Sequence, residues 1–319
     1  MAEKGRVPMI FAGTGGAALA ARVAAHLSVP VCEALVGRWP NGEVRVQLRE
    51  HVRGERVFLF QSFSRDVNSM VMELLVMLDA ARRASAAAIT AVVPYFPYSK
   101  QERKFRGREP ISARLMADLI TESGANRVLT MDLHEGAIQG FFKIPVDHLP
   151  STPFVSRHLK ERGLCGPDMM VVAPDEGAVE QAVELSGLLG CDIAVVFKRH
   201  PINSPTDVET VEIVGDLEGR RALIWDDMIL GGSTLCNAAR MVLERGAKEV
   251  HAYITHPVLC EDAVERINAS CLEELIVTDT IPLPPEAARC DRIRVISVAS
   301  LLGDAIDRIT WECSVSELL

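Results

Sequence analysis

Short apolar runs that are rich in β-branched residues alternate with helical patterns along this chain of 319 residues. Such alternation is typical of βαβ units that share a largely parallel sheet. Most of the runs are too short and too β-branched for helices, so they predict strands. The predicted strands span residues 56–60, 89–94, 128–131, 169–173, 193–197, 222–225, 250–255, 275–278 and 293–298, and a shorter strand is indicated at 9–11.

Hydrophobic residues recur at helical spacing between the predicted strands. Val71, Leu74 and Leu78, with Leu75 beside them, follow the i, i+3, i+4, i+7 pattern of an amphipathic helix. Ser112 is the expected N-cap of another helix. The chain therefore predicts an α/β fold with helices packed on the sheets.

The proline-rich segment 145–153 (PVDHLPSTP) divides two series of strands and helices. Proline and polar residues of this kind are typical of domain boundaries. We therefore expect an N-terminal domain over residues 1–150 and a C-terminal domain over residues 151–303. The last segment, 301–319, has a helical pattern, and its 304–319 part is expected to be a helix that packs on the first domain.

Composition narrows the class of protein. Lys and Arg number 34 against 43 Asp and Glu, a net charge of −9, and 48% of the residues are hydrophobic. This composition is globular and argues against a protein that coats nucleic acid, because such binding needs clustered cations. No apolar stretch approaches the roughly 20 residues of a membrane span, and the N-terminus is not typical of a secretory signal. We therefore expect a cytoplasmic protein with no nucleic-acid or membrane partner, whose eight cysteines are reduced, mostly buried thiols.

The most informative segment is 221–234, with the sequence RALIWDDMILGGST. An apolar strand leads into Asp226 and Asp227, and a Gly-Gly-Ser-Thr turn then opens a helix. Backbone N–H groups, hydroxyls and the helix dipole together favour a bound phosphate. The two acids lie at the carboxyl end of the strand, where open α/β sheets bind ligands, and could hold two ribose hydroxyls. The alternative is a capped turn with solvated acids.

A second glycine-rich turn, 13–18 (GTGGAA), satisfies the dinucleotide-binding pattern G-x-G-x-x-A. The acid expected about 20 residues later would be Glu33. The residues around Glu33 lead instead into the segment GRWPNGE, so we favour a simple strand-to-helix turn of small residues.

The phosphate segment resembles the phosphoribosyl-diphosphate-binding motif of type I phosphoribosyltransferases and ribose-phosphate diphosphokinases. Resemblance to the ribose-phosphate diphosphokinase family extends nearly from end to end of the chain. It implies an α/β fold of two similar phosphoribosyltransferase-like domains, each a largely parallel sheet flanked by helices. It also implies a homo-oligomer that is a hexamer built from dimers. The matching segments are GRWPNGEVRV (37–46), HVRGERVFLFQS (51–62), ELLVMLDAARRASA (73–86), PYFPYSKQERK (94–104), PISARLMADLI (110–120), RVLTMDLHEGAIQGFFKIPVDHL (127–149), VTDTIPLP (277–284) and SVSELL (314–319).

The same resemblance implies transfer of diphosphate from Mg-ATP to the C1 hydroxyl of ribose 5-phosphate, with Mg²⁺ as the cofactor. It assigns the transition-state cations to Lys198 and Arg199 on a flexible flap, and the metal to His134 and Asp175. The nucleotide-binding residues that it implies are Trp39, Asn41 and Glu43 from a neighbouring subunit, Lys100, Gln101 and Arg103 from a mobile loop, and His134. Those for ribose 5-phosphate are Asp175, Asp226, Asp227, Gly231, Gly232, Ser233 and Thr234.

The chain departs from the family pattern at several of these positions. Leu230 replaces an acid and Gly231 a hydroxyl residue, since the usual DDMIDTGGT is here DDMILGGST. Asn41 stands for Asp, although its amide oxygen can still accept a bond from a purine amino group. Further changes are Lys100 for Arg, His200 for Arg, and the added acids Glu176 and Glu180.

These departures leave two other functions open. One is a non-catalytic synthetase-associated subunit that co-assembles with an active paralogue. The other is a nucleobase phosphoribosyltransferase, although the chain is longer than one such domain requires.

Overall fold

The computed structural model describes residues 7–64, 66–199 and 210–318, with only the backbone for 198, 199, 210 and 211. The chain divides into two compact units. Unit 1 comprises residues 1–150, 279–282 and 297–319, and unit 2 comprises residues 151–278 and 283–296. None of the helices in the described ranges is long and apolar enough to cross a membrane.

Unit 1 is built on a five-stranded parallel sheet in the order β1-β4-β5-β6-β7, with β2 and β3 forming a separate antiparallel hairpin. Its strands are β1 (Met9–Ala12), β2 (Ala34–Arg38), β3 (Val44–Leu48), β4 (Arg56–Phe60), β5 (Ala88–Val92), β6 (Arg127–Met131) and β7 (Val146–Leu149). Its described helices are α1 (Ala17–His26), α2 (Val67–Arg83), α3 (Ser112–Ser123) and the C-terminal Ala299–Thr310.

Unit 2 contains a seven-stranded sheet in the order β10-β9-β8-β11-β12-β13-β14. Only the edge pair β9 and β10 is antiparallel. The strands are β8 (Met169–Ala173), β9 (Asp192–Arg199), β10 (Thr210–Val214), β11 (Arg221–Ile229), β12 (Glu249–Pro257), β13 (Glu274–Thr278) and β14 (Ile293–Ile296). The helices are α4 (Thr152–Glu161), α5 (Val179–Leu189), α6 (Ser233–Glu244) and α7 (Ala263–Asn268), so the C-terminal helix of unit 1 is α8.

Both faces of the unit 2 sheet are covered, which explains why a central strand such as β8 is continuously apolar. In β8, Met170 and Val172 belong to the core on the α6 and α7 side. Met169, Val171 and Ala173 belong to the core on the α4 and α5 side. The predicted α/β class with largely parallel sheets is thereby confirmed.

Four strands were not predicted, namely β2, β3, β7 and β10. Both hairpin strands are only partly buried, so their apolar pattern is weak. Strand β7 falls inside the proline-rich segment that we interpreted as a boundary, because Pro145 and Pro150 flank a short edge strand. Pairing with β6 therefore outweighs the local composition.

The C-terminal segment differs from the prediction of a helix over 304–319. Helix α8 spans Ala299–Thr310, and a 3₁₀ turn follows at Val315–Leu318. Residues 279–282 and 297–303 also belong to unit 1 and not to a continuous second domain. Polar contacts join these later segments to the first part of unit 1, because Asp279 accepts hydrogen bonds from Arg22 (2.6 Å) and Ser297 (2.6 Å).

Two smaller expectations are wrong. Ser112 is the first residue of α3 and not its N-cap, and its hydroxyl donates to Gln101 Oε1 at 2.6 Å. All eight cysteines are free thiols, but only Cys32 is fully buried, and Cys313 is exposed. Burial raises the pKa of the Cys32 thiol to about 12, so this thiol is inert.

Candidate functional site

The sheet of unit 2 reverses its strand order between β8 and β11, and polar groups follow both strands. From β8 the chain proceeds to β9 on one side, whereas β11 leads to β12 on the other. A parallel sheet opens a crevice at the carboxyl ends of its strands where the order reverses. Asp175 follows β8, and Asp226 and Asp227 lie near the end of β11. The three predicted acids are therefore at the switch point.

These carboxyl groups affect one another electrostatically. Burial raises the pKa of Asp226 well above its usual value, and the neighbouring carboxylates of Asp227 and Asp175 raise it further. The N–H of Asp227 donates to Asp226 Oδ1 at 2.9 Å and partly opposes this shift. Three acids held close together cost folding free energy, and such costs are typical of functional sites.

The loop after β11 presents unpaired N–H groups at the start of α6. Gly232 has a φ of +75°, a left-handed conformation that favours glycine, and α6 then begins at Ser233 with no side-chain cap. Within the described residues, no acceptor is recorded for the N–H groups of Gly231, Gly232, Ser233 or Thr234. The first N–H groups of a helix and its dipole attract anions. The start of α6 therefore has a geometry that attracts anions, and phosphate binding there stays a prediction.

The opposite side of this loop is braced by the segment that follows β12. Leu259 N–H donates to Ile229 O at 3.1 Å, and Cys260 N–H donates to Leu230 O at 3.0 Å. Arg266, on α7, donates from its guanidinium to Gly231 O at 2.6 Å. Three consecutive carbonyls are thus held from one side. Sequence reasoning missed Arg266, because it lies 35 positions from its acceptor and in no recognised motif.

Asp175 is partly committed to local structure. Its Oδ1 accepts from Gly177 N–H at 3.0 Å and from Ala178 N–H at 3.3 Å, which caps the 3₁₀ turn Glu176–Ala178. The added acids Glu176 and Glu180 are exposed in this turn and at the start of α5. They therefore increase the negative potential around the switch point, as the sequence predicts.

The hairpin of unit 1 carries the three residues predicted to contact the purine. Trp39 is 48% exposed, and the guanidinium carbon of Arg45 lies 4.3 Å from its ring centroid. Asn41 Oδ1 accepts from Glu43 N–H at 3.2 Å. The amide oxygen that we expected to accept from a purine amino group therefore already accepts one backbone bond, and its second lone pair and the amide N–H₂ are left for the base.

A buried carboxylate contacts this hairpin at Arg38, the last residue of β2 before the turn. Glu73 is 2% exposed, and its Oε1 lies 3.4 Å from Arg38. Its Oε2 accepts from the N–H and hydroxyl of Thr14 (3.1 and 2.7 Å) and from Gln61 (2.9 Å). Gly15 N–H donates to Gln61 at 3.0 Å.

The same contacts account for the glycine-rich turn 13–18. The N–H groups of Thr14 and Gly15 donate to the side chains of Glu73 and Gln61, and those of Gly13 and Gly16 donate to backbone carbonyls. The carboxylate of Glu73 would also repel a pyrophosphate. A Cβ on Gly15 or Gly16 would come within 2.1 or 2.7 Å of backbone atoms of β4 and its following residues. These glycines serve close packing.

The other predicted nucleotide residues lie on a separate loop of unit 1. Lys100 and Gln101 belong to the 3₁₀ turn Ser99–Gln101, and Gln101 is held by Ser112 at 2.6 Å. Arg103 lies 3.2 Å from Glu102 Oε1 and stacks 5.1 Å from the ring centroid of Phe105. Between described residues, no hydrogen bond or ion pair joins this loop to the hairpin turn.

Lys198 and Arg199 end β9, where their backbones pair with Val211 and Thr210 of β10. Their side chains, and all of His200, lie outside the described residues.

His134 follows β6 and is half-buried. Asp132, two residues earlier, has a φ of +31°, and Leu133 N–H donates to His148 Nε2 at 3.0 Å. The chain is therefore fixed just before His134. Among the residues with described positions, no group of three or more His, Cys, Asp or Glu side chains is arranged to bind a metal.

Comparison with known proteins identifies the family. A family model described as the N-terminal domain of ribose phosphate pyrophosphokinase matches residues 8–124, and one described as the phosphoribosyl synthetase-associated domain matches residues 170–319. Ribose-phosphate pyrophosphokinases of Agrobacterium fabrum and Fusobacterium nucleatum are 48% and 44% identical over 309 residues. These alignments cover 97% of this chain and 99% and 97% of the relatives.

A crystal structure of phosphoribosylpyrophosphate synthetase from Mycobacterium smegmatis superimposes with a TM-score of 0.89 at 38% identity. The match covers 96% of this chain and 99% of that chain. The likeness confirms the predicted fold class and the resemblance drawn from the sequence. The chain belongs to the ribose-phosphate pyrophosphokinase family.

Proposed function

We propose that this protein transfers the diphosphate of Mg-ATP to the C1 hydroxyl of ribose 5-phosphate, giving phosphoribosyl diphosphate and AMP. The sugar oxygen forms a bond to the β-phosphorus, the bond from that phosphorus to the oxygen bridging to the α-phosphate breaks, and AMP leaves with that oxygen. The hydroxyl proton passes to solvent. The observation that carries this proposal is the uncapped start of α6 beside Asp226 and Asp227, in a chain of this family.

Ribose 5-phosphate binds at the switch point of unit 2 in this proposal. The phosphate accepts from the N–H groups of residues 231–234 and from the hydroxyls of Ser233 and Thr234. Asp226 and Asp227 accept from the two ring hydroxyls, and Asp175 lies beside them. Bonds from hydroxyls to ionised carboxylates are strong because they are charge-assisted.

ATP binds through unit 1 in this proposal. The purine stacks on Trp39 and contacts Asn41 and Glu43, while Lys100, Gln101, Arg103 and His134 reach the nucleotide. Lys198 and Arg199 then stabilise the negative charge that develops on the transferred phosphates. Such positioning and cationic stabilisation supply most of the catalysis in phosphoryl transfer.

The residues at the switch point fit a magnesium ion. Magnesium prefers oxygen ligands and is usually held by one or two carboxylates together with substrate phosphates. Burial and then the neighbouring carboxylates of Asp227 and Asp175 raise the pKa of Asp226, and a cation would relieve the repulsion between these carboxylates. At the switch point, Asp175 is the proposed protein contact to the metal or its bound ligands. When bound, the ion neutralises charge on the transferred phosphates.

The test is an initial-rate assay of AMP formation by the purified chain. The proposal predicts AMP only when ATP, Mg²⁺ and ribose 5-phosphate are all present, with one phosphoribosyl diphosphate per AMP. Nucleotide hydrolysis without a new sugar diphosphate would refute it. Activity that appears only after an active paralogue is added would support the non-catalytic subunit instead. Sedimentation of the same preparation tests the proposed hexamer built from dimers, and cell fractionation tests the proposed cytoplasmic location.

A further inference from the structure

The phosphate loop, residues 230–234, carries Gly231 at a position where the family pattern has a hydroxyl residue. A guanidinium group lies beside this position. Arg266 donates to Gly231 O at 2.6 Å. A Cβ added to Gly231 would lie 3.2 Å from the same Arg266 nitrogen, closer than nine in ten real Cβ contacts. The φ of Gly231 is not in the left-handed region, so this backbone does not itself require glycine. The neighbouring guanidinium is therefore the feature that favours glycine here.

The surroundings hold this arginine in place. Arg266 lies 3.6 Å from Asp262 and 3.9 Å from Glu261, and its side chain is 39% exposed. The segment before it is strained, because Leu259 and Glu261 have φ values of +48° and +52° without being glycine. Such conformations persist only where surrounding contacts enforce them. Here one such contact is the hydrogen bond from Leu259 N–H to the carbonyl of Ile229 at 3.1 Å. Ile229 is the last residue of β11, directly before the phosphate loop.

We propose that Arg266 is a positioning residue for the phosphate loop, which compensates for the missing side chain at Gly231. By fixing the Gly231 carbonyl on one side, the guanidinium leaves the N–H groups of the same loop directed to the other side, toward the phosphate of ribose 5-phosphate. It also keeps a positive charge next to this loop. The inference rests on the proposed function, because it concerns the affinity of that loop for the sugar phosphate.

The experiment measures the KM values for ribose 5-phosphate and ATP, together with ribose 5-phosphate binding by calorimetry. In Arg266→Gln we expect the KM for ribose 5-phosphate and its dissociation constant to rise about threefold to tenfold, the range for the loss of one typical hydrogen bond. The KM for ATP should stay unchanged. Arg266→Lys should recover part of the affinity because it keeps the charge and one donor.

A matched control comes from α6. Arg240 is an exposed arginine of the same unit that pairs with Glu244. Arg240→Gln makes the same change in charge and should leave both KM values unaltered. Thermal unfolding of each variant checks that the fold is intact. The inference is overturned if Arg266→Gln and Arg240→Gln behave alike, or if both KM values rise together.

A double-mutant cycle with Gly231→Thr tests the compensation itself. The threonine side chain needs the space beside the guanidinium and should displace it. In that background, Arg266→Gln should change the KM for ribose 5-phosphate by less than about twofold, because the contact is already lost. Effects that multiply independently would overturn the inference. If the wild-type protein does not bind ribose 5-phosphate, the proposed function is overturned as well. If the wild type turns over normally and Arg266→Gln is unaffected, only this inference is overturned.

Discussion

Removing the buried carboxylate of Glu73 should destabilise unit 1 far more than changing its charge. Glu73→Ala leaves three donor groups without their acceptor, namely the N–H and hydroxyl of Thr14 and the amide of Gln61. The Gln61 amide is buried, so the loss of its acceptor costs about 1–3 kcal/mol, whereas water can reach the exposed Thr14 and lowers the cost there. We therefore expect a total loss of about 2–4 kcal/mol. At about 2–4 °C per kcal/mol for a unit of this size, the melting temperature should fall by roughly 10 °C.

Glu73→Gln separates the hydrogen bonds from the ion pair. Its amide oxygen can replace Oε2 as the acceptor for the three donors, while its N–H₂ then faces Arg38, which lies 3.4 Å from Oε1 in the wild type. Only the contact to Arg38 is lost outright, so the cost should be about 1 kcal/mol, or roughly 3 °C.

Differential scanning fluorimetry of both variants, with Glu122→Ala as the control, measures these shifts. Glu122 is an exposed glutamate of α3, and its removal should change the melting temperature by less than about 2 °C. If Glu73→Ala melts within 2 °C of Glu122→Ala, the network does not stabilise unit 1 and the reasoning fails. An equal loss in Glu73→Ala and Glu73→Gln would instead assign the stabilisation to the ion pair.

Three further predictions concern the site. The pKa of Asp226 is raised in the folded protein, so folding favours the protonated carboxyl group. The ionised carboxylate therefore destabilises the fold at pH values above the folded-state pKa. This cost disappears below about pH 3.8, where the group is protonated in both the folded and the unfolded state. Asp226→Asn should therefore raise the melting temperature at pH 8 in EDTA, and this increase should become smaller toward pH 4. The same substitution should lower turnover about tenfold or more. A lower melting temperature at pH 8 would contradict the prediction. Asn41→Asp supplies a second acceptor oxygen for the adenine amino group, and should raise the ratio of kcat/KM for ATP to that for GTP by about tenfold; an unchanged ratio would show that Asn41 does not read the base. Arg45→Gln should increase acrylamide quenching of Trp39 fluorescence and raise the KM for ATP about two- to fivefold, with kcat unchanged; unaltered quenching would remove the role of the stacked guanidinium.

The parts of the fold that the sequence predicted are those with a strong local signal. Strands such as β8 (MMVVA) are buried on both faces, and a continuous apolar run that is too short for a helix indicates a strand. The hairpin of β2 and β3 has a weak pattern, because one of its faces is exposed and Gly37 and Arg45 pair across it. Strand β7 is fixed by pairing with β6, which no local pattern reveals.

The same distinction applies to the site. Asp226, Asp227 and the turn 230–234 form one continuous motif, so their grouping could be predicted. Arg266 and Glu73 act through contacts that are distant in sequence, the first with Gly231 and the second with Thr14. Contacts of this kind depend on how α7 and α2 pack, so the spacing of residues along the chain does not predict them.

The central claim is tested most directly by ³¹P NMR of the purified chain with Mg-ATP labelled at the β-phosphate and ribose 5-phosphate. The account predicts that the label moves intact to the sugar as a diphosphate on C1, that AMP appears in equal amount, and that Asp226→Asn strongly reduces the transfer. Release of labelled inorganic diphosphate or ADP with no sugar diphosphate, or transfer that Asp226→Asn does not affect, would contradict it.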